Sequence, residues 1–100
     1  MNKFLDPYYV YFISDGIGNC KVGIAEYPER RRYTMQTGNA NELVTKATIR
    51  CVNKYQAEAW ESKIHRELKA KRVRGEWFEE KAVDEYLLNL SERAETEVTE

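Results

Sequence analysis

Histidine occurs once in this chain of 100 residues and cysteine only twice, as Cys20 and Cys51. One imidazole and two scattered thiols argue against a structural zinc site, which takes four such ligands. Two cysteines do not build a disulfide scaffold either; they read as buried free thiols in a reducing compartment. Nowhere is there a run of about 18 apolar residues, so no membrane-spanning helix is expected. The opening stretch MNKFLDPYYVYF has one lysine, then an aspartate and a proline that interrupt its apolar run, a poor pattern for a secretion signal. The expectation is a cytoplasmic chain with no membrane partner. Its length fits one domain and leaves no room for a second.

Charge is plentiful. Asp, Glu, Lys and Arg make up 33% of the residues, above the usual quarter. The net charge of −1 hides an asymmetry. Residues 1–78 carry 14 Lys/Arg against 9 Asp/Glu, a balance of +5, and residues 79–100 carry 2 against 8, a balance of −6. A basic body suits a polyanion, because binding phosphates releases their counterions. Charge alone fits an ordinary mixed surface at least as well. The expected organisation is one domain over residues 1–90 and an acidic, flexible tail over 91–100.

Tyr8–Ser14 is aromatic and β-branched, with both faces apolar, and reads as a central strand covered on each side. Asp15-Gly16-Ile17-Gly18-Asn19 is a hairpin loop. Cys20–Ala25 alternates as a second strand, with Cys20, Val22 and Ile24 on one face and Lys21, Gly23 and Ala25 on the other. Pro28 opens a helix that Gly38 closes. Leu43–Val52 is a third strand. Asn53 caps the next helix, with Gln56 as its capping-box partner. That helix runs to about Ala70 on a stripe of Ala57, Trp60, Ile64 and Leu68. Gly75 breaks the chain, Trp77 and Phe78 insert as a short apolar plug, and a last helix spans about Lys81 to Leu90. The order is β-β-α-β-α-α. A hairpin start implies an α/β (α+β) fold: a small antiparallel three-stranded sheet flanked by helices.

The segments Tyr9-Val10-Tyr11-Phe12-Ile13 and Lys21-Val22-Gly23-Ile24-Ala25 resemble the two strand motifs of the GIY-YIG nuclease superfamily. Pro28-Glu29-Arg30-Arg31, Gln36-Thr37-Gly38-Asn39, Trp60-Glu61, His65 and Gly75-Glu76-Trp77-Phe78 resemble its small phage-type branch. The likeness covers roughly residues 8 to 80, and its weight lies in the shared order of fragments that are individually weak. It implies a DNA-cutting hydrolase using a single Mg2+ or Mn2+; the chain itself is expected as a monomer or weak homodimer, its oligomeric state open. Under the resemblance, the Tyr11 hydroxyl serves or supports the general base. Gly23 leaves room for the substrate backbone, Arg31 contacts the scissile phosphate, and Glu61 holds the metal. Lys21 stands where the second motif usually has tyrosine. The family's late asparagine has no clear counterpart, Glu76 lying in the nearest region.

These residue types suit the chemistry. One carboxylate such as Glu61 is enough for magnesium, which keeps most of its waters. Arg31 offers a planar fork for two phosphate oxygens, with Arg30 and Arg32 beside it as further substrate-binding residues. His65 lies one helical turn after Glu61 on the same side, placed to donate to phosphate or move a proton. Lys21, on the strand facing Tyr11, would lower the phenol's pKa by favouring phenolate. Taken singly, each has a plainer reading: Tyr11 as core, the arginines as a solvated helix face, Glu61 with His65 as a surface pair. Two further functions stay open, a DNA-binding module that no longer cuts and an interaction module whose acidic tail mimics nucleic acid. So small a surface favours phosphate and shape recognition over strict sequence reading.

Overall fold

The computed structural model describes the backbone of residues 6–98 and the side chains of residues 6–92. β1 (Tyr8–Ser14) and β2 (Asn19–Ala25) form an antiparallel hairpin in which Tyr11 faces Gly23 and Ile13 faces Lys21. The connecting loop is held from within. One carboxylate oxygen of Asp15 accepts from the amides of Ile17 and Asn19 at 2.9 and 3.1 Å, and the other accepts from the Asn19 side chain at 2.8 Å. Gly16 and Gly18 take φ of 77° and 104°, conformations that glycine adopts without a Cβ clash.

β3 (Val44–Cys51) pairs antiparallel with the other side of β1, so β1 is internal, as its apolar faces imply. α1 (Pro28–Gln36) begins on its proline and ends just before Gly38. None of its residues is fully buried; it is fastened by its last side chain. Gln36 accepts from the Leu43 amide at 2.8 Å and donates to the Asn41 carbonyl at 2.8 Å, which ties the helix to the segment entering β3. α2 (Lys54–Glu67) is capped by Asn53, which accepts from the Gln56 amide at 2.9 Å, while the Gln56 side chain accepts from Val52 at 2.8 Å. The α-helix stops before the expected Ala70 and tightens into one 3-10 turn, Lys69–Lys71.

The sheet has five strands, not the expected three. β4 (Arg72–Arg74) and β5 (Trp77–Glu79) form a hairpin around Gly75, and the antiparallel order is β3-β1-β2-β5-β4. Trp77 and Phe78 therefore belong to a strand rather than a plug. Neighbours along a strand point to opposite faces, and these two do: Phe78 enters the larger core and Trp77 packs against the smaller. α3 (Glu80–Val98) carries on past Leu90, since Ser91-Glu92-Arg93-Ala94-Glu95 contains no helix breaker. Residues 99–100 lie outside the described residues. The α+β class holds with the strand count corrected.

Two cores flank the sheet. On one face Val10, Phe12, Cys20, Val22, Ala57, Ile64, Phe78 and Val83 bring α2 and α3 onto the strands. On the other, Tyr11, Ile13 and Leu43 meet Met35 of α1 and Trp77. Both cysteines are free and buried, and burial pushes the Cys20 thiol up to about 12. No helix among the described residues is long and apolar enough to cross a membrane.

Candidate active site

The short β5 leaves part of β2 open. Strand pairing covers Asn19 to Lys21, and the Val22 amide makes one more bond to the Glu76 carbonyl at 3.0 Å. The Val22 carbonyl is instead met by a side chain from α2, His65, whose Nε2 lies 2.8 Å away. A carbonyl can only accept, so Nε2 carries the hydrogen and Nδ1 is the ring nitrogen left to meet a further partner. The ring is further fixed by Phe78, with centroids 5.0 Å apart.

Tyr11 reaches this open edge from the opposite face. Its residue is 2% exposed, and its ring lies across β2 at Gly23, where a Cβ would stand 2.6 Å from the phenol Cζ. The expected space for substrate backbone at Gly23 is thus filled by the chain's own tyrosine. Glycine here is a demand of packing: no other residue lets the ring cross the strand. Burial raises the phenol's pKa, and the Arg31 guanidinium, hydrogen-bonded to it, pulls the other way; the net direction is upward, with Glu76 and Glu61 adding to the rise. The cation beside Tyr11 is therefore Arg31. The expected lowering of its pKa by Lys21 is replaced by a rise, and the Lys21 ammonium instead faces Glu76 at 3.9 Å.

Glu61 and Glu76 meet at the same edge. One ligand atom from each, with one from His65, all lie within 4.8 Å of one another, and all three residues are half-buried. Burial raises the Glu61 pKa first, the Glu76 charge second, and a hydrogen bond with Glu76 raises it again; only His65 opposes. Two carboxylates crowded in this way favour holding a proton, and a divalent cation could take its place. The donor set fits such an ion: two carboxylates and an imidazole already oriented by a carbonyl on its other nitrogen.

The remaining arginines of α1 are engaged elsewhere. Arg30 stacks 4.9 Å over the Tyr27 ring. Arg32 pairs with Glu29 at 3.0 Å and donates to the Leu43 carbonyl at 3.4 Å. Of the three, Arg31 is the one whose guanidinium acts on the Tyr11 phenol. Glu76 is the site residue that the sequence does not single out, although the fragment Gly75-Glu76-Trp77-Phe78 contains it. Its signal is an acidic residue directly after a turn glycine, and only the β4–β5 hairpin brings it to Glu61.

Residues 8–94 match the T5orf172 domain, a family associated with phage-type nuclease and GIY-YIG-like folds. No curated protein and no solved structure matches the chain.

Proposed function

Because the chain belongs to the T5orf172 domain family, we propose that it is a metal-dependent endonuclease of GIY-YIG type that hydrolyses DNA phosphodiester bonds. It would act inside the cell as a monomer or weak homodimer. One arrangement supports this reading: Tyr11, Arg31 and the Glu61–His65–Glu76 group, drawn from three elements, the β4–β5 turn and two faces of the sheet, converge at the open edge of β2.

Glu61, Glu76 and Nδ1 of His65 would hold one Mg2+ or Mn2+, the imidazole tilting the preference toward manganese. When bound, such an ion stabilises charge building on the phosphate and on the leaving oxygen. The residues do the rest. Arg31 is exposed at its helix face and already directed at Tyr11, so it can clamp a non-bridging oxygen of the phosphate presented there. The Tyr11 hydroxyl accepts from Arg31 and, kept neutral by burial, has its own hydrogen to orient a water for attack on phosphorus. Its proton-accepting form is disfavoured in the free protein; Arg31 is the group that draws the phenol back toward it. Lys21 neutralises part of the charge of Glu76 and so positions that carboxylate. His65 is a positioning and metal-holding residue here, not a free acid.

The test is nicking of supercoiled plasmid DNA with Mg2+ or Mn2+. Wild-type protein cuts, and Glu61→Gln and Arg31→Ala each lower the rate by about 100-fold or more, as expected for removal of a group aimed at transition-state charge. Cutting that survives both substitutions contradicts the proposal. DNA binding without products from pure wild-type protein would favour the reading of a scaffold that no longer cuts, for which the missing asparagine and Lys21 are the motives.

A further inference from the structure

Between His65 and Glu76, both at the candidate metal group, the chain makes an excursion with a marked composition. Arg66 follows His65 directly; Lys69 and Lys71 lie in the 3-10 turn; Arg72 and Arg74 lie in β4, and Arg74 is two residues from Glu76. All five are exposed. Across residues 69–74 there are four cations and no acid. Three cations elsewhere in the fold are neutralised: Lys21 by Glu76, Arg32 by Glu29, Lys46 by Glu80 and Asp84. Among the described residues none of these five forms an ion pair. β4 is also an outermost strand of the sheet, so its outer side faces no other strand.

Unpaired positive charge on an exposed edge has two uses. It can keep the edge from pairing with another chain, or it can bind a polyanion. The first needs little charge, and four cations in six residues exceed it. The excursion is also tethered at both ends to the group that would hold the metal, so its charge lies beside the site. Three extended residues span about 10 Å, roughly the rise of three phosphates along one DNA strand.

We propose that the 3-10 turn and β4 form a phosphate track, on which the backbone of duplex DNA lies as it leads into the site at the open edge of β2. The proposal rests on the nuclease reading and adds to it the surface that holds the substrate. The track reads charge and spacing rather than bases, so its contribution is independent of sequence and falls steeply with salt.

The experiment measures binding of a fluorescein-labelled 20-base-pair duplex to the full chain by anisotropy, in EDTA to prevent cutting, from about 50 to 200 mM KCl. The variant carries Lys69→Gln, Lys71→Gln, Arg72→Gln and Arg74→Gln; a second carries only Lys69→Gln and Lys71→Gln. The control carries Arg50→Gln, Lys54→Gln and Lys81→Gln, exposed cations elsewhere. The track predicts that the slope of log Kd against log salt falls by about two to four in the fourfold variant, at about 0.9 per contact, and by about half that in the double variant. The control changes it much less, and the helical circular dichroism stays as in wild type. The double variant decides the matter if the fourfold variant does not fold. A wild-type slope in both variants overturns the track, while wild-type DNA binding leaves the nuclease reading standing. Aggregation of the variants with an unchanged slope assigns the charges to edge protection and likewise overturns it. An equal effect from the control overturns it as a matter of overall charge. Wild-type protein that binds no duplex at the lowest salt brings down the nuclease reading itself.

Discussion

Two carboxylate pairs in this protein meet opposite fates. Glu80 and Asp84, one turn apart on α3, both hold the ammonium of Lys46, which reaches them from β3, with the Glu80 oxygen at 2.7 Å. Glu80 also accepts from Ser14 at 2.9 Å. Glu61 on α2 and Glu76 in the β4–β5 turn have no such clamp; the Lys21 ammonium stands 3.9 Å from Glu76, and Glu61 is pushed toward its protonated form. Surface ion pairs like that of Lys46 contribute about 0–1 kcal/mol, so the first pair is a modest fastening of strand to helix. The second costs stability wherever both carboxylates are ionised. A fold that satisfies one pair with a lysine and leaves the other crowded carries a local strain that a divalent cation would relieve.

The largest change to this contrast comes from the residue that lets Tyr11 reach the crowded pair. Gly23→Ala sets a Cβ against the phenol ring. Overpacking of this kind costs about 1–3 kcal/mol, and displacing an aligned group by about 1 Å costs about 100-fold in rate. The expected result is a protein that melts lower, still folds, and nicks plasmid at about one hundredth of the wild-type rate or less. A Gly23→Ala protein with full activity would mean that the position of Tyr11 is irrelevant to cutting.

A smaller effect separates the pairs by pH. The Glu61 pKa is raised in the folded protein, so its contribution to stability is fully present below the ordinary carboxylate value and is lost as pH rises through the raised one. In metal-free buffer, Glu61→Gln should therefore gain a few degrees in melting temperature relative to wild type as pH rises from the ordinary carboxylate value of about 4.3 and the wild-type carboxylate ionises. A difference that shrinks over that rise would show the crowding to be illusory.

Much of this arrangement is legible in the sequence, and the illegible part has one cause. The β1–β2 hairpin announces itself through alternating Cys20, Val22 and Ile24 and the Asp15–Asn19 loop; Pro28 and Asn53 mark the helix starts. Tyr11, Arg31, Glu61 and His65 are recognisable as a set only through the resemblance to GIY-YIG motifs; singly, each has a plainer reading. What escapes is carried by β4 and β5. Strands of three residues are too short to display a period of two, and Trp77-Phe78, one for each core, look like a single apolar insertion. Without that hairpin, Glu76 has no visible path to Glu61. The phenol over Gly23 is likewise hidden, because a missing Cβ looks the same in a sequence whether substrate or protein fills the space.

The central claim is that Glu61, His65 and Glu76 share one divalent cation, and calorimetric titration of metal-free protein with Mn2+ at about pH 7.5 tests it directly. The account predicts one site per chain, lost in Glu61→Gln, weakened about tenfold or more in Glu76→Gln and His65→Ala, and retained in Lys46→Met, where the other carboxylate pair loses its lysine. Wild-type protein without a binding isotherm, or one that only Lys46→Met abolishes, would contradict it.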